Sequence, residues 1–155
     1  MRILFRLICS LPIAGMVLFA DSCAPEACFD ETNSYLKAFF YNDSLKKLLP
    51  PDSISLTGLN QPDNKIYDKA TGVQPALLPL DASAGSCSFI IHINGIADTI
   101  DLSYTSYPHL ISKECGYTFY HNLDECSCSY NAIVDIYINT KRITTVNEEN
   151  IRIFY

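Results

Sequence analysis

Residues 87–93 and 96–104 are two β-rich runs separated by Asn94-Gly95. Asn-Gly tolerates positive φ at both central positions of a type I′ turn, so the runs are expected to pair as a β-hairpin. On the second arm Ile96, Asp98, Ile100, Leu102 and Tyr104 share one face, and Ala97, Thr99, Asp101 and Ser103 the other. The first face is read as core and the second as solvent-facing. Asp98 falls on the apolar face, and the pattern supplies no reason for it. Upstream, the aromatic-rich residues 34–41 read as a buried strand. Asn42-Asp43-Ser44 then caps a single helical turn with Leu45, Leu48 and Leu49 at helical spacing, a lid that Pro50-Pro51 stop.

Residues 53–59 alternate as a second strand. The stretch 61–75 reads as a long loop or a poorly marked strand around Ile66-Tyr67. Pro79 confines Leu77-Leu78-Pro79-Leu80 to an edge or crossing point, since proline cannot donate to a ladder. Residues 81–86 form a turn. Two further short strands are expected at 107–112 and 117–121, and strands at 133–138 and 151–155 close the sheet around the polar segment 139–150. Short strands recur with turn residues between them and no long amphipathic helix intervenes. The fold class is therefore all-β: an antiparallel β-sandwich, immunoglobulin-like, of about seven or eight strands.

The N-terminus follows a different pattern. Arg2 and Arg6 precede an apolar run from Leu7 to Ala20, and Ala20-Asp21-Ser22-Cys23 follows it. A charged start, an apolar middle and small residues before a cysteine read as an export signal. The tetrapeptide resembles the lipobox of bacterial lipoproteins, with Asp21 at a position usually small and uncharged. The resemblance implies lipidation of Cys23, which becomes the new N-terminus. The chain then divides into a signal peptide at 1–22, a tether at 23–33 and the sandwich domain at 34–155.

The leader carries Arg2, Arg6 and Asp21, so of 11 basic and 17 acidic residues the mature 133-residue chain keeps 9 and 16, a formal charge of −7. That balance opposes a nucleic-acid backbone, and the longest basic cluster is Lys46-Lys47. No nucleic-acid partner is expected. Beyond Cys23 no apolar run approaches the roughly 20 residues of a membrane helix.

The second cysteine, Cys28, comes five residues after Cys23. With the aromatic Phe39-Phe40-Tyr41, Leu78-Pro79-Leu80, Leu102-Ser103-Tyr104 and the Ser-x-x-Cys-Gly element Ser112-Lys113-Glu114-Cys115-Gly116, the chain over residues 23–123 resembles a family of small bacterial envelope lipoproteins of unknown function. The resemblance implies a lipid-anchored envelope protein, outer-membrane in location. It also implies a disulfide between Cys28 and Cys115, the two cysteines that match the family pattern. Cys9 leaves with the signal, so Cys87, Cys126 and Cys128 remain. In an exported protein disulfides are the default, and Cys87 is expected to pair with Cys126 or Cys128, leaving one thiol free.

Cys115, His121, Cys126 and Cys128 also make a thiolate–imidazole set suited to zinc or copper(I), but Cys-x5-His-x4-Cys-x-Cys is no standard zinc spacing. Neither a metal nor a cofactor is expected. His92, His109 and His121 accompany no nucleophile motif, and Asp98 and Asp101 point to opposite faces of a strand. No enzymatic activity is expected. The leading function is a binding or structural module whose partners are the membrane, through the N-terminal lipid, and a protein or glycan. Tyr104, Tyr107, Tyr117, Tyr120, Tyr130 and Tyr137 are the candidate contacts, because tyrosine joins apolar area to a polar tip. The alternatives are a small-ligand or lipid carrier with a barrel-like cavity, and an envelope metal or thiol-redox protein built on the Cys115–Cys128 region.

Overall fold

Asn94 and Gly95 both adopt positive φ, 51° and 90°, and the hairpin they close lies at the centre of the larger sheet. The computed structural model describes residues 27–155; the expected signal peptide, Cys23 and the first residues of the expected tether lie outside the described residues. Among the described residues eleven strands form: β1 (Leu36–Asn42), β2 (Lys47–Leu48), β3 (Ile54–Gly58), β4 (Gln61–Ala70), β5 (Ala76–Leu78), β6 (Ser86–Ile93), β7 (Ile96–Ser112), β8 (Gly116–Cys128), β9 (Asp135–Ile138), β10 (Arg142–Ile143) and β11 (Ile151–Phe154). Among the described residues there is no helix. The larger sheet has the order β10-β8-β7-β6-β3-β4; the smaller runs β2-β1-β11-β9, with β5 also paired to β1. The two pack as a β-sandwich and do not close into a barrel. Three strands are only two or three residues long, and the eight others match the expected number.

Alternation places the core. Leu36, Ala38 and Phe40 of β1 and Ile151 and Ile153 of β11 face Ile54 and Leu56 of β3, Phe89, Ile91 and Ile93 of β6, and Ile100, Leu102 and Tyr104 of β7, all buried. The first and last strands of the domain pair in parallel, Ala38 opposite Ile151 and Tyr41 opposite Phe154, so the smaller sheet closes only when both ends of the chain meet. Asn150 fixes that meeting. Its Oδ1 accepts the Lys37 amide at 2.9 Å, and its Nδ2 donates to Thr140 O at 3.2 Å and Arg142 O at 2.8 Å. Lys37 itself is buried, with Nζ donating to Thr144 O at 3.0 Å and Tyr35 O at 3.3 Å. Burial pushes its ammonium pKa down, against the opposing fields of Glu31 and Glu148.

Asp98 is only 2% exposed, and the loop after β8 explains it. Oδ1 accepts Ser129 Oγ and the Asn131 amide, each at 2.7 Å, and Oδ2 accepts the amides of Ala132 at 2.7 Å and Ile133 at 2.9 Å. The carboxylate is the anchor of the β8–β9 connection. Burial raises its pKa, but these four hydrogen bonds outweigh burial and hold it below the usual carboxylate range.

Two expectations are corrected, and the open choice between loop and strand at 61–75 is resolved. The helical turn at 42–49 is instead a tight turn, with Lys46 at φ 51°, leading into β2, which pairs with the end of β1. Three leucines ended by two prolines make too short a helix to repay nucleation, and Leu45, Leu48 and Leu49 stay exposed. The segment 61–75 is mostly strand, β4, held against β3 through several register shifts. The short strands expected at 107–112 and 117–121 are the outer ends of β7 and β8, 17 and 13 residues long. Pro108 does not break β7, because β6 pairs with it only as far as Ser103; beyond that β7 has one neighbour, the edge position that tolerates proline.

Candidate functional site

Past Ser103 β7 pairs only with β8, and past His121, where β10 ends its pairing with β8, the two strands leave the body of the larger sheet as a two-stranded ribbon, paired from Tyr107 opposite Tyr120 to Ser112 opposite Gly116. Gly116, at φ 73°, makes the turn at its tip, a conformation that a side chain would strain. The tether is fastened along the free edge of β8. Ser34 Oγ donates to Phe119 O, Thr118 Oγ1 donates to Thr32 O at 2.6 Å, and Cys28 is disulfide-bonded to Cys115 with Cα atoms 4.8 Å apart. The chain entering the domain therefore runs to the tip of the ribbon. Pairing that edge with the tether also shields it from other strands.

Residues opposite one another in an antiparallel pair share a face. Pro108 lies opposite Phe119 and Leu110 opposite Tyr117, which makes one stripe continuing the core face beyond the reach of the smaller sheet. Leu110 and Phe119 are about half exposed, Tyr117 is 74% exposed and Phe29, next to Cys28, 90%. On the other face His109 stacks on Tyr120 with centroids 4.1 Å apart, and Tyr107 meets Tyr120 edge-on. At the base of the stripe a cleft of about 200 Å³ opens between Phe119, His121, Tyr35 and Leu80.

The remaining cysteines depart from expectation. Cys87, Cys126 and Cys128 are free thiols. Cys87 and Cys126 flank Leu102 from the two neighbouring strands, which sets them about 10 Å apart, beyond the roughly 7 Å between Cα atoms that a disulfide spans. Cys126 and Cys128 stand side by side on one strand, with parallel side chains. All three pack against the core. Burial pushes the thiol of Cys87 up to about 11 and that of Cys126 up to about 12, and raises Cys128 as well. They are protonated, core-filling thiols. The Cys115–Cys128 metal set is likewise not assembled: Cys115 is bonded at the ribbon tip, some ten residues along β8 from Cys126, about 30 Å of strand. Among the described residues no three metal-ligating side chains gather.

The histidines separate by environment. His121 is buried, Nδ1 2.8 Å from Ser106 Oγ and edge-on to Tyr104, and burial lowers its pKa. His92 is exposed on the outer face, in an open polar cleft of about 490 Å³ with Ser55, Thr57, Lys65 and Lys69. Of the candidate tyrosines, Tyr104 and Tyr120 are buried, whereas Tyr107, Tyr117, Tyr130 and Tyr137 are exposed. Tyr104 takes its polar partner inside, donating to Asp81 O and accepting the Asp81 amide. A second exposed group lies at the other end of β1. Tyr137 packs edge-on to Phe154, and Lys46 sits over the same ring at 5.1 Å, with Leu45, Tyr130 and Val134 exposed nearby.

Phe29, Leu110 and Phe119 were not singled out by sequence. Continuing the alternation of β7 past Tyr104 places Ser106, Pro108 and Leu110 on the core face, and only the proline concealed it. No curated protein and no solved structure matches the chain. Residues 53–155 match a family of unknown function, DUF6452. That span takes in Cys115 and the whole ribbon but not Cys28, and with it the chain belongs to the DUF6452 family.

Proposed function

We propose that the protein is a lipid-anchored envelope protein, held at the outer membrane through Cys23, whose sandwich serves as a non-enzymatic binding or structural module for a protein or glycan. The observation that carries this reading is the fastening of the tether. Cys28 is covalently joined to the ribbon, and five residues before it Cys23 ends a stretch patterned as an export signal. A disulfide linking residues 87 apart fits an oxidising compartment. The exposed group of Leu45, Tyr130, Val134 and Tyr137, at the end of the smaller sheet away from the tether, supplies an apolar, tyrosine-rich surface for a partner.

Intact mass of the protein extracted from membranes, before and after reduction, tests this reading. The expected chain begins at Cys23, carries acyl groups, and gains the two hydrogens of one reduced disulfide. A chain that retains residues 1–22, or begins at Cys23 without added lipid, overturns it.

A further inference from the structure

We propose that the open stripe at the ribbon tip is a membrane-contacting surface, seated in the interface of a neutral lipid bilayer beside the anchor. The inference rests on the lipid anchor at Cys23 proposed above and adds the orientation of the domain and the residues that touch lipid.

Cys28 lies at the ribbon tip through its bond to Cys115. Five residues of extended chain reach at most about 18 Å, so a lipid on Cys23 holds the tip within that distance of the bilayer. The tip is therefore the end of the domain closest to the membrane. It is also where apolar side chains lack a covering layer: Leu110 and Tyr117 face each other across the ribbon, as do Pro108 and Phe119, and Phe29 follows Cys28 directly, 90% exposed. Aromatic rings with a polar end favour the boundary between headgroups and acyl chains, which suits Tyr117. Charge does not drive the contact. Asp30, whose Oδ2 lies 3.8 Å from Cys115 Sγ, Glu31 and Glu114 outnumber Lys113 around the tip, a balance that repels anionic headgroups. Apolar insertion into neutral lipid is what these side chains offer.

The protein contains no tryptophan, so a single introduced indole reports its own depth. The full-length protein bearing Tyr117→Trp, and separately Tyr137→Trp at the far end of the smaller sheet, is extracted from membranes and reconstituted into phosphatidylcholine vesicles with bromine on the acyl chains. Fluorescence of the Tyr117→Trp protein is expected to fall at least about twofold relative to unbrominated vesicles, and that of the Tyr137→Trp protein by less than about a tenth, as interfacial seating of one end requires. Equal quenching of the two, or none at either, overturns the proposal. So does quenching of the Tyr117→Trp protein that appears only when phosphatidylglycerol is added. Intact mass of the same preparation separates the two readings. Acylated Cys23 with an unquenched Tyr117→Trp protein overturns the orientation alone, and an unacylated chain overturns both.

Discussion

Four donors converge on the two oxygens of Asp98, three of them consecutive backbone amides. Hydrogen bonds to a charged acceptor are stronger than neutral ones, and removing the acceptor strands buried N–H groups. Asp98→Ala is expected to cost about 3 kcal/mol in unfolding free energy. Asp98→Asn keeps the shape but turns an NH2 toward two of the donors, so its loss is expected to be nearly as large. Denaturant unfolding of both proteins is the measurement, and a near-neutral Asp98→Asn would show that charge and acceptor count are irrelevant there. Because its folded pKa lies below the ordinary value, Asp98 contributes stability that is present above about pH 4 and lost as the pH falls through the folded value. His121 acts in a higher window. Burial depresses its pKa, so the neutral ring favours the folded state above about pH 6.5 and that contribution is lost as the pH drops toward the lower folded value. Between pH 7 and 5 its share of the pH slope of stability is at most about 1.4 kcal/mol per pH unit. His121→Phe, which keeps the packing on Tyr104, is expected to remove that share, and an unchanged slope would place the responsible proton on another group.

At the scale of elements, three fastenings join the tether to the ribbon. In the chain-entropy picture a loop of this length gives a disulfide worth roughly 4–5 kcal/mol. Reduction is therefore expected to lower the thermal midpoint and to release the tether first. Hydrogen exchange at residues 29–34 and 116–119 should accelerate, while β3, β6 and the core half of β7 remain protected at matched temperature. Uniform acceleration would mean that the bond supports the entire sandwich rather than the ribbon. The hairpin at Asn94-Gly95 was legible because local chemistry decides it: one dipeptide fixes the turn, and period-two alternation fixes the face. The ribbon was not, because Pro108 and the Lys113-Glu114 turn look like strand ends when neighbours are unknown. The reason for Asp98 was hidden in the same way, since its partners at 129–133 come from a loop some 30 residues on. Cysteine counting suggested a second disulfide among Cys87, Cys126 and Cys128, but strand order, which counting cannot see, puts Leu102 between the first two.

On the scale of the whole molecule, the family match and the folding unit have different limits. The matched residues 53–155 leave out β1, yet β1 sits between β11 on one side and β5 and β2 on the other. It contributes Leu36, Ala38 and Phe40, each with no exposed surface. Without it Ala76, Leu78, Ile151 and Ile153 lose their cover, and β11 keeps β9 as its one neighbour. Deleting a buried Leu or Phe side chain alone costs roughly 2–5 kcal/mol, against a total domain stability of roughly 5–15 kcal/mol. Loss of the whole strand exceeds what such a domain withstands. A fragment spanning 53–155 is accordingly expected to show no cooperative thermal transition. A fragment spanning 34–155, which lacks Cys28 but keeps β1, is expected to melt cooperatively at a lower temperature than 28–155, because it loses the disulfide and not the strand. Circular dichroism melts of the three distinguish the roles of bond and strand. A cooperative transition in the 53–155 fragment would establish that the family's matched region folds by itself and that β1 is an addition to its sheet.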